Sequence, residues 1–115
     1  MEAFALTQVL CKITTLKNII WEDFRVGVEI SWVYQSDDPA GPSSAYLRYQ
    51  PGAKVPQHGH SGFEHIFMLE GSQTDDNGTY VAGDVVINPP GTHHSIISED
   101  GCVVFAVWQA PVAFD

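Results

Sequence analysis

Tight-turn signals recur roughly every ten residues and cut this chain into short apolar runs, and that punctuation constrains its fold more than any other feature. Pro51-Gly52, Asp76-Asn77-Gly78, Pro90-Gly91 and Asp100-Gly101 each carry a mechanism: proline presets φ and glycine accepts positive φ. Asn77-Gly78 is also a preferred hairpin corner. Asp37 to Ser44, with two prolines and a glycine, reads as a loop. The runs between are Val26 to Tyr34, Ala45 to Tyr49, Glu64 to Leu69, Thr79 to Val81, Asp84 to Asn88, His93 to Ile97 and Cys102 to Gln109. They are rich in Val, Ile, Phe, Tyr and Trp, which suit a pleated surface. No segment carries a capped helical repeat. The expectation is an all-β chain closing as a two-sheet barrel of about eight strands.

At 115 residues the chain is expected to form one domain, residues 1 to 115. Residues 1 to 20 are read as an N-terminal arm or strands. Leu6, Val9, Leu10 and Ile13 suit one helical face, while Ile13-Thr14-Thr15 favours extended chain. Both faces of the Cys102 run are apolar, so something should cover the outside of the barrel. The N-terminal arm, or the arm of a second subunit, would do so, and a homodimer with residues 1 to 20 at its interface is predicted. Fourteen acids against five bases give a net charge of -9, a field that repels nucleic acid. The apolar runs are too short to span a membrane, and no basic segment followed by an apolar stretch marks a secretory signal. With two cysteines, Cys11 and Cys102, and no CxxC, a cytoplasmic protein with reduced thiols is expected, though a disulfide between them is open.

Four metal-ligating side chains fall within this frame. His58 and His60 are two apart, so on extended chain they share a face. Glu64 follows Ser61-Gly62-Phe63, where the glycine permits a bend, and His94 follows the Pro89-Pro90-Gly91 turn. Any one such histidine is more commonly a core or surface residue; the set of four offers three imidazoles and a carboxylate to one divalent transition metal (Fe2+, Zn2+, Mn2+ or Ni2+). Parity turns His58, His60, Glu64, Ile66, Met68, His94 and Ile96 inward and Phe67, Leu69 and His93 outward. His65 and His93 stand beside ligands with opposite parity. They are therefore expected off the metal, as candidate catalytic residues that orient a ligand or shuttle a proton. Glu70, Asp75, Asp76, Glu99 and Asp100 sit at turns and are expected in solvent. Trp32, Tyr34, Tyr49, Phe63 and Trp108 are expected in the core or an interface, one or two at a cavity mouth. Arg48 follows the long loop and is a candidate partner for an anionic substrate.

Gly52-x5-His58-x-His60-x3-Glu64-x6-Gly71 resembles the first cupin motif at every fixed position, and Gly83-x5-Pro89-x-Gly91-x2-His94 resembles the second. Ser98 stands where the second motif usually has an asparagine that is not a ligand. The resemblance covers roughly residues 42 to 110. Ser72 to Ala82, between the motifs, leaves room for one hairpin. Glu64 to Gly71, Asp75, Gly78-Thr79-Tyr80 and Pro90-Gly91-Thr92-x-His94 look most like the ChrR-like group, which includes the cupin half of an anti-sigma factor. The resemblance implies a double-stranded β-helix, the cupin jelly roll, with the four residues above as ligands.

Function divides three ways. An octahedral ion held by this set keeps two positions for water or substrate, unlike closed tetrahedral zinc sites. Cupins with such ligands include iron-dependent dioxygenases of small diketones. The first expectation is thus a metal-dependent oxygenase-type enzyme acting on a small carbonyl compound. The alternative is a non-catalytic metal- or ligand-sensing module like the anti-sigma-factor cupins. Their namesake binds its sigma factor through a separate N-terminal zinc domain, whereas residues 1 to 50 here hold no histidine and only Cys11. An isomerase or epimerase comes third, since it needs a base that only His65 or His93 would supply.

Overall fold

The computed structural model describes residues 1–10 and 18–114. Ten strands follow in chain order: β1 (Glu22–Arg25), β2 (Val28–Gln35), β3 (Ser43–Tyr49), β4 (Ala53–His60), β5 (Glu64–Asp75), β6 (Gly78–Val81), β7 (Val85–Asn88), β8 (His93–Ser98), β9 (Cys102–Trp108) and β10 (Val112–Phe114). All are antiparallel, in the order β1-β2-β3-β9-β5-β8-β4-β10, with β6 and β7 also paired to β5. The sheet curls over itself into a half-barrel. The seven expected runs are strands, β4 forms where His58 and His60 were read on extended chain, and β1 and β10, which carry few β-branched residues, join them.

β5 makes the curl. Its first half pairs with β9 and β7, its second half with β6 and β8, and a bulge between Met68 and Glu70 redirects it. A bulge bends a strand and raises its twist. Gly71 just beyond has φ 76°, and a Cβ there would overlap the carbonyl oxygen of Gly101. Only glycine allows β5 and the start of β9 to approach this closely. The Asp76-Asn77 turn closes the expected hairpin between β5 and β6.

Alternation then fixes the interior. Ile30, Ala45, Leu47, Ile66, Met68, Ile96, Val104 and Ala106 are buried inside the curl. The outer face of β3, β9 and β5 is also apolar, with Tyr46, Val103, Phe105 and Leu69 in one cluster. As expected, the N-terminal arm lies against it. Val9, Ile19 and Trp21 pack on this cluster, and Phe4, Leu6 and Leu10 line a cavity of about 340 Å³ with Val33, Phe67 and Phe105. No strand forms in residues 1–10; Cys11 and Ile13 to Thr15 lie outside the described residues. Cys102 is a free buried thiol, pushed up to about 11 by burial. Among the described residues no helix is long and apolar enough to cross a membrane.

Candidate metal centre

His58, His60, Glu64 and His94 converge inside the half-barrel, all buried. His58 and His94 face each other across the β4–β8 ladder, and His60 stands two residues on. The β4–β8 corner is tied by the His60 amide on the Thr92 carbonyl and the Gly91 amide on the His60 carbonyl. Glu64 opens β5 after a corner that β9 pins: the Phe63 amide donates to the Gln109 side-chain oxygen, and the Gln109 amide to the Phe63 carbonyl. A side chain at Gly62 would crowd Gln109 and Ala110, a close approach that glycine makes without displacing either neighbour.

Each imidazole presents the same edge to the centre. His58 Nδ1 lies 2.9 Å from the Pro56 carbonyl, His94 Nδ1 3.1 Å from Asp75 Oδ2, and His60 Nδ1 2.9 Å from Thr92 Oγ1. A carbonyl and a carboxylate only accept, and Thr92 spends its own proton on the Pro89 carbonyl. All three Nδ1 atoms therefore donate, which leaves three Nε2 lone pairs aimed inward. His58 Nε2 and His94 Nε2 stand 2.9 Å apart. His60 Nε2 is 3.0 Å from Glu64 Oε1, yet with no proton to give it is buried without a hydrogen bond.

Lone pairs and a carboxylate packed together repel unless a cation lies among them. The four ligand atoms lie within 4.8 Å of one another. Adjacent donors on an octahedral ion with bonds of about 2.1 Å stand about 3.0 Å apart, the spacing found for two of these pairs. The residues thus fit a divalent transition metal.

The electrostatics agree. Burial holds His58 below the usual imidazole range, with the neighbouring His94 and His60 adding to that against the Pro56 bond. In the metal-free site burial pushes Glu64 up, but a protonated His60, the Trp108 indole and a protonated His94 outweigh it and hold the carboxyl below its ordinary value. Both groups favour the metal-ready form at neutral pH. Asn88 Nδ2 donates to Glu64 Oε1 at 2.9 Å, and Trp108 Nε1 to Oε2 at 2.7 Å. Oε2 is thereby occupied, and Oε1 faces the histidines.

Asp75 departs from expectation. It is not in solvent: its side chain is 4% exposed, accepts from His94 and takes the Asn77 amide on Oδ1. The hairpin folds it back over the centre. Asp75, Asn88, Trp108 and Thr92 hold the ligands, and sequence reasoning gave none of them that role. Asn88 shares its strand face with no histidine, Trp108 reads as core, and Asp75 reads as a solvated turn acid. His93 is exposed, its ring over Gly59 on the outer side of β4, and His65 is half-buried beside Phe63, ring centroids 6.2 Å apart. Arg48 does not serve the interior; it pairs with Glu29 at 2.8 Å and stacks on Trp21 outside.

A curled antiparallel barrel with three histidines and a glutamate from two glycine-punctuated motifs defines a cupin. This chain belongs to the ChrR Cupin-like domain family, which matches residues 10–112. It is 32% identical over 104 residues to the anti-sigma-E factor ChrR of Cereibacter sphaeroides, covering 87% of this chain and 46% of that protein. The chain thus spans about half the length of that curated relative. ChrR in its complex with SigE from Rhodobacter sphaeroides superposes with a TM-score of 0.72 at 25% identity, over 81% of this chain and 51% of that one. An acetylacetone dioxygenase from Acinetobacter johnsonii gives a TM-score of 0.75 at 15% identity, over 99% of this chain and 80% of that one, a likeness of fold.

Proposed function

We propose that this chain is a metal-loaded sensing module, a cupin that holds one divalent transition metal at His58, His60, Glu64 and His94 and passes its metal or ligand state to a protein partner. The observation that carries it is the convergence of three unprotonated Nε2 atoms and Glu64 Oε1, each set by a bond on the far side of its own group, Nδ1 for the imidazoles and Oε2, held by Trp108, for the carboxylate. The likeness to ChrR favours sensing over catalysis, because it rests on sequence as well as fold. Elemental analysis of protein purified without added metal tests the centre: about one metal per chain is expected, and none in His60→Ala or His94→Ala.

A metal-dependent oxygenase acting on a diketone-like compound is the second reading. It is supported by the mixed donor set; a cavity of about 350 Å³ lined by Trp32, Trp108 and Phe114 reaches the centre only through side chains that touch its ligands, Trp108 on Glu64 and Phe114 on His58, and none of the four ligands lines it. A bound Fe2+ would supply Lewis acidity and oxygen chemistry there. Oxygen uptake above that of free iron, across β-diketones and hydroxyketones with Fe2+, Mn2+ or Ni2+ loaded, would overturn the sensing reading. A proton-shuttling role for His65 or His93 belongs to this second reading and would act through their neighbours Glu64 and His94. The domain extent, a single unit over residues 1 to 115, and a cytoplasmic location remain part of the proposal. So does a homodimer, which the exposed Leu10, Val85 and Ile87 favour and light scattering tests.

A further inference from the structure

β1, the β2–β3 loop and β10 wall the cavity of about 350 Å³ that lies outside the metal centre. Four aromatic rings line it: Phe24, Trp32, Trp108 and Phe114. Three of them meet at angles rather than in a stack. The planes of Phe24 and Trp32 stand at 84° with centroids 6.3 Å apart, and those of Trp32 and Trp108 at 57° and 6.2 Å. Phe24 and Phe114 are 46% and 44% exposed, so neither ring is spent on the core. Among the described residues Asp38 is the one charged group in the lining. The loop that carries it holds its own shape. Asp38 Oδ1 takes the Ala40 amide at 2.9 Å, the Asp38 amide donates to Ser36 Oγ, and the Ser36 amide donates to the Pro42 carbonyl. A preformed site of this kind costs little ordering when a ligand enters.

Angled aromatic faces beside one carboxylate suit an organic cation, because each ring presents a negative face and the carboxylate adds a full charge. An anion would meet Asp38 in a chain of net charge -9. The chain makes one such contact itself: Arg25 stacks on Phe114 at 4.2 Å without entering the lining, which leaves Phe24, Trp32 and Trp108 for a ligand. Trp108 also joins the cavity to the metal centre, since its Nε1 donates to Glu64 Oε2 at 2.7 Å. We propose that this cavity binds a small organic cation, an alkylated ammonium, and that Trp108 transmits its presence to Glu64. The transmission rests on the metal-centre reading and names a ligand that the module senses; the binding does not depend on it. A cation on the indole face draws electron density from the ring and strengthens its N–H as a donor. Glu64 then holds a metal less strongly, and the two positive charges repel. Cation and metal therefore oppose each other.

The test titrates the metal-free full chain by calorimetry with choline, with tetramethylammonium, and with neohexyl alcohol, in which carbon replaces the nitrogen of choline. Both cations are expected to bind, and the alcohol about 3- to 30-fold more weakly. Asp38→Asn and Phe24→Leu, both at exposed positions, should each weaken choline by about 3- to 10-fold, with circular dichroism checking the fold. Saturating choline should lower cobalt affinity, read by chelator competition, by about fivefold or more. In Trp108→Phe, which keeps a ring and loses the N–H, the ratio of cobalt affinities with and without choline should fall toward unity. Alcohol binding as tight as choline, no binding of either cation at millimolar concentration, or unchanged choline binding in both Asp38→Asn and Phe24→Leu overturns the cation site. Choline that binds and leaves cobalt affinity unchanged overturns the transmission through Trp108. Failure of wild type to bind cobalt overturns the metal centre and the transmission with it, and the cation site is judged on the metal-free titrations.

Discussion

Asp75 shows how much of the centre is set by groups that never meet the metal. Asp75→Asn should lower metal affinity by roughly 10- to 100-fold with the fold intact, since the amide no longer enforces the His94 tautomer; competition with a chromophoric chelator measures this. Trp108 gives a second test, because its indole donates to the oxygen of Glu64 that faces away from the centre. Trp108→Phe should weaken the metal by a smaller factor, and metal addition should shift tryptophan emission in the wild type but not in that variant. pH acts through the same residues. His58 sits below its ordinary value of 6.5, so on acidification the unfolded chain takes up a proton before the folded one does. Glu64 sits below 4.5, so its contribution is present above that pH and is lost as pH falls toward the folded value. Metal-free protein should therefore melt progressively lower from pH 7 to pH 4, in thermal scans by circular dichroism. The four ligands were legible in the sequence because each sits at a fixed gap from a turn. Asp75 was not, because whether a turn acid faces water or folds inward depends on the twist of the hairpin that carries it.

Among the elements, β5 decides the architecture. Gly71→Ala should destabilise the protein by about 2 kcal/mol or more, since it adds a Cβ at positive φ against the Gly101 carbonyl; denaturant unfolding checks it. Parity placed the side chains of β4, β5 and β8 correctly, because one face of each is buried and a one-residue slip would expose it. The same reasoning missed β1 and β10. Neither buries a full face, and β10 spans only Val112–Phe114, so no alternation marks it. Yet β10 lies along His58 and His60, with Phe114 opposite His58. Phe114→Ala should speed metal loss to a chelator several-fold while leaving the melting temperature of the apo protein within a few degrees, a rate effect read by stopped flow.

For the molecule as a whole, the topology brings together ligands far apart along the chain. His58 and His94 are 36 residues apart and come from neighbouring strands, and Glu64 reaches them from a third. An unfolded chain cannot assemble that set, so the proposed ion would bind only the folded form. Free metal at about 100 times its dissociation constant then adds about 2.7 kcal/mol of stability. A domain of this size has a total of about 5–15 kcal/mol, so the share is large. Scarcity of the ion would raise the unfolded fraction by about a hundredfold, and proteases act on that fraction. For the metal-loaded module proposed above, the lifetime of the chain in a cell would thereby be tied to the supply of the ion, and its abundance would register shortage before any partner is involved.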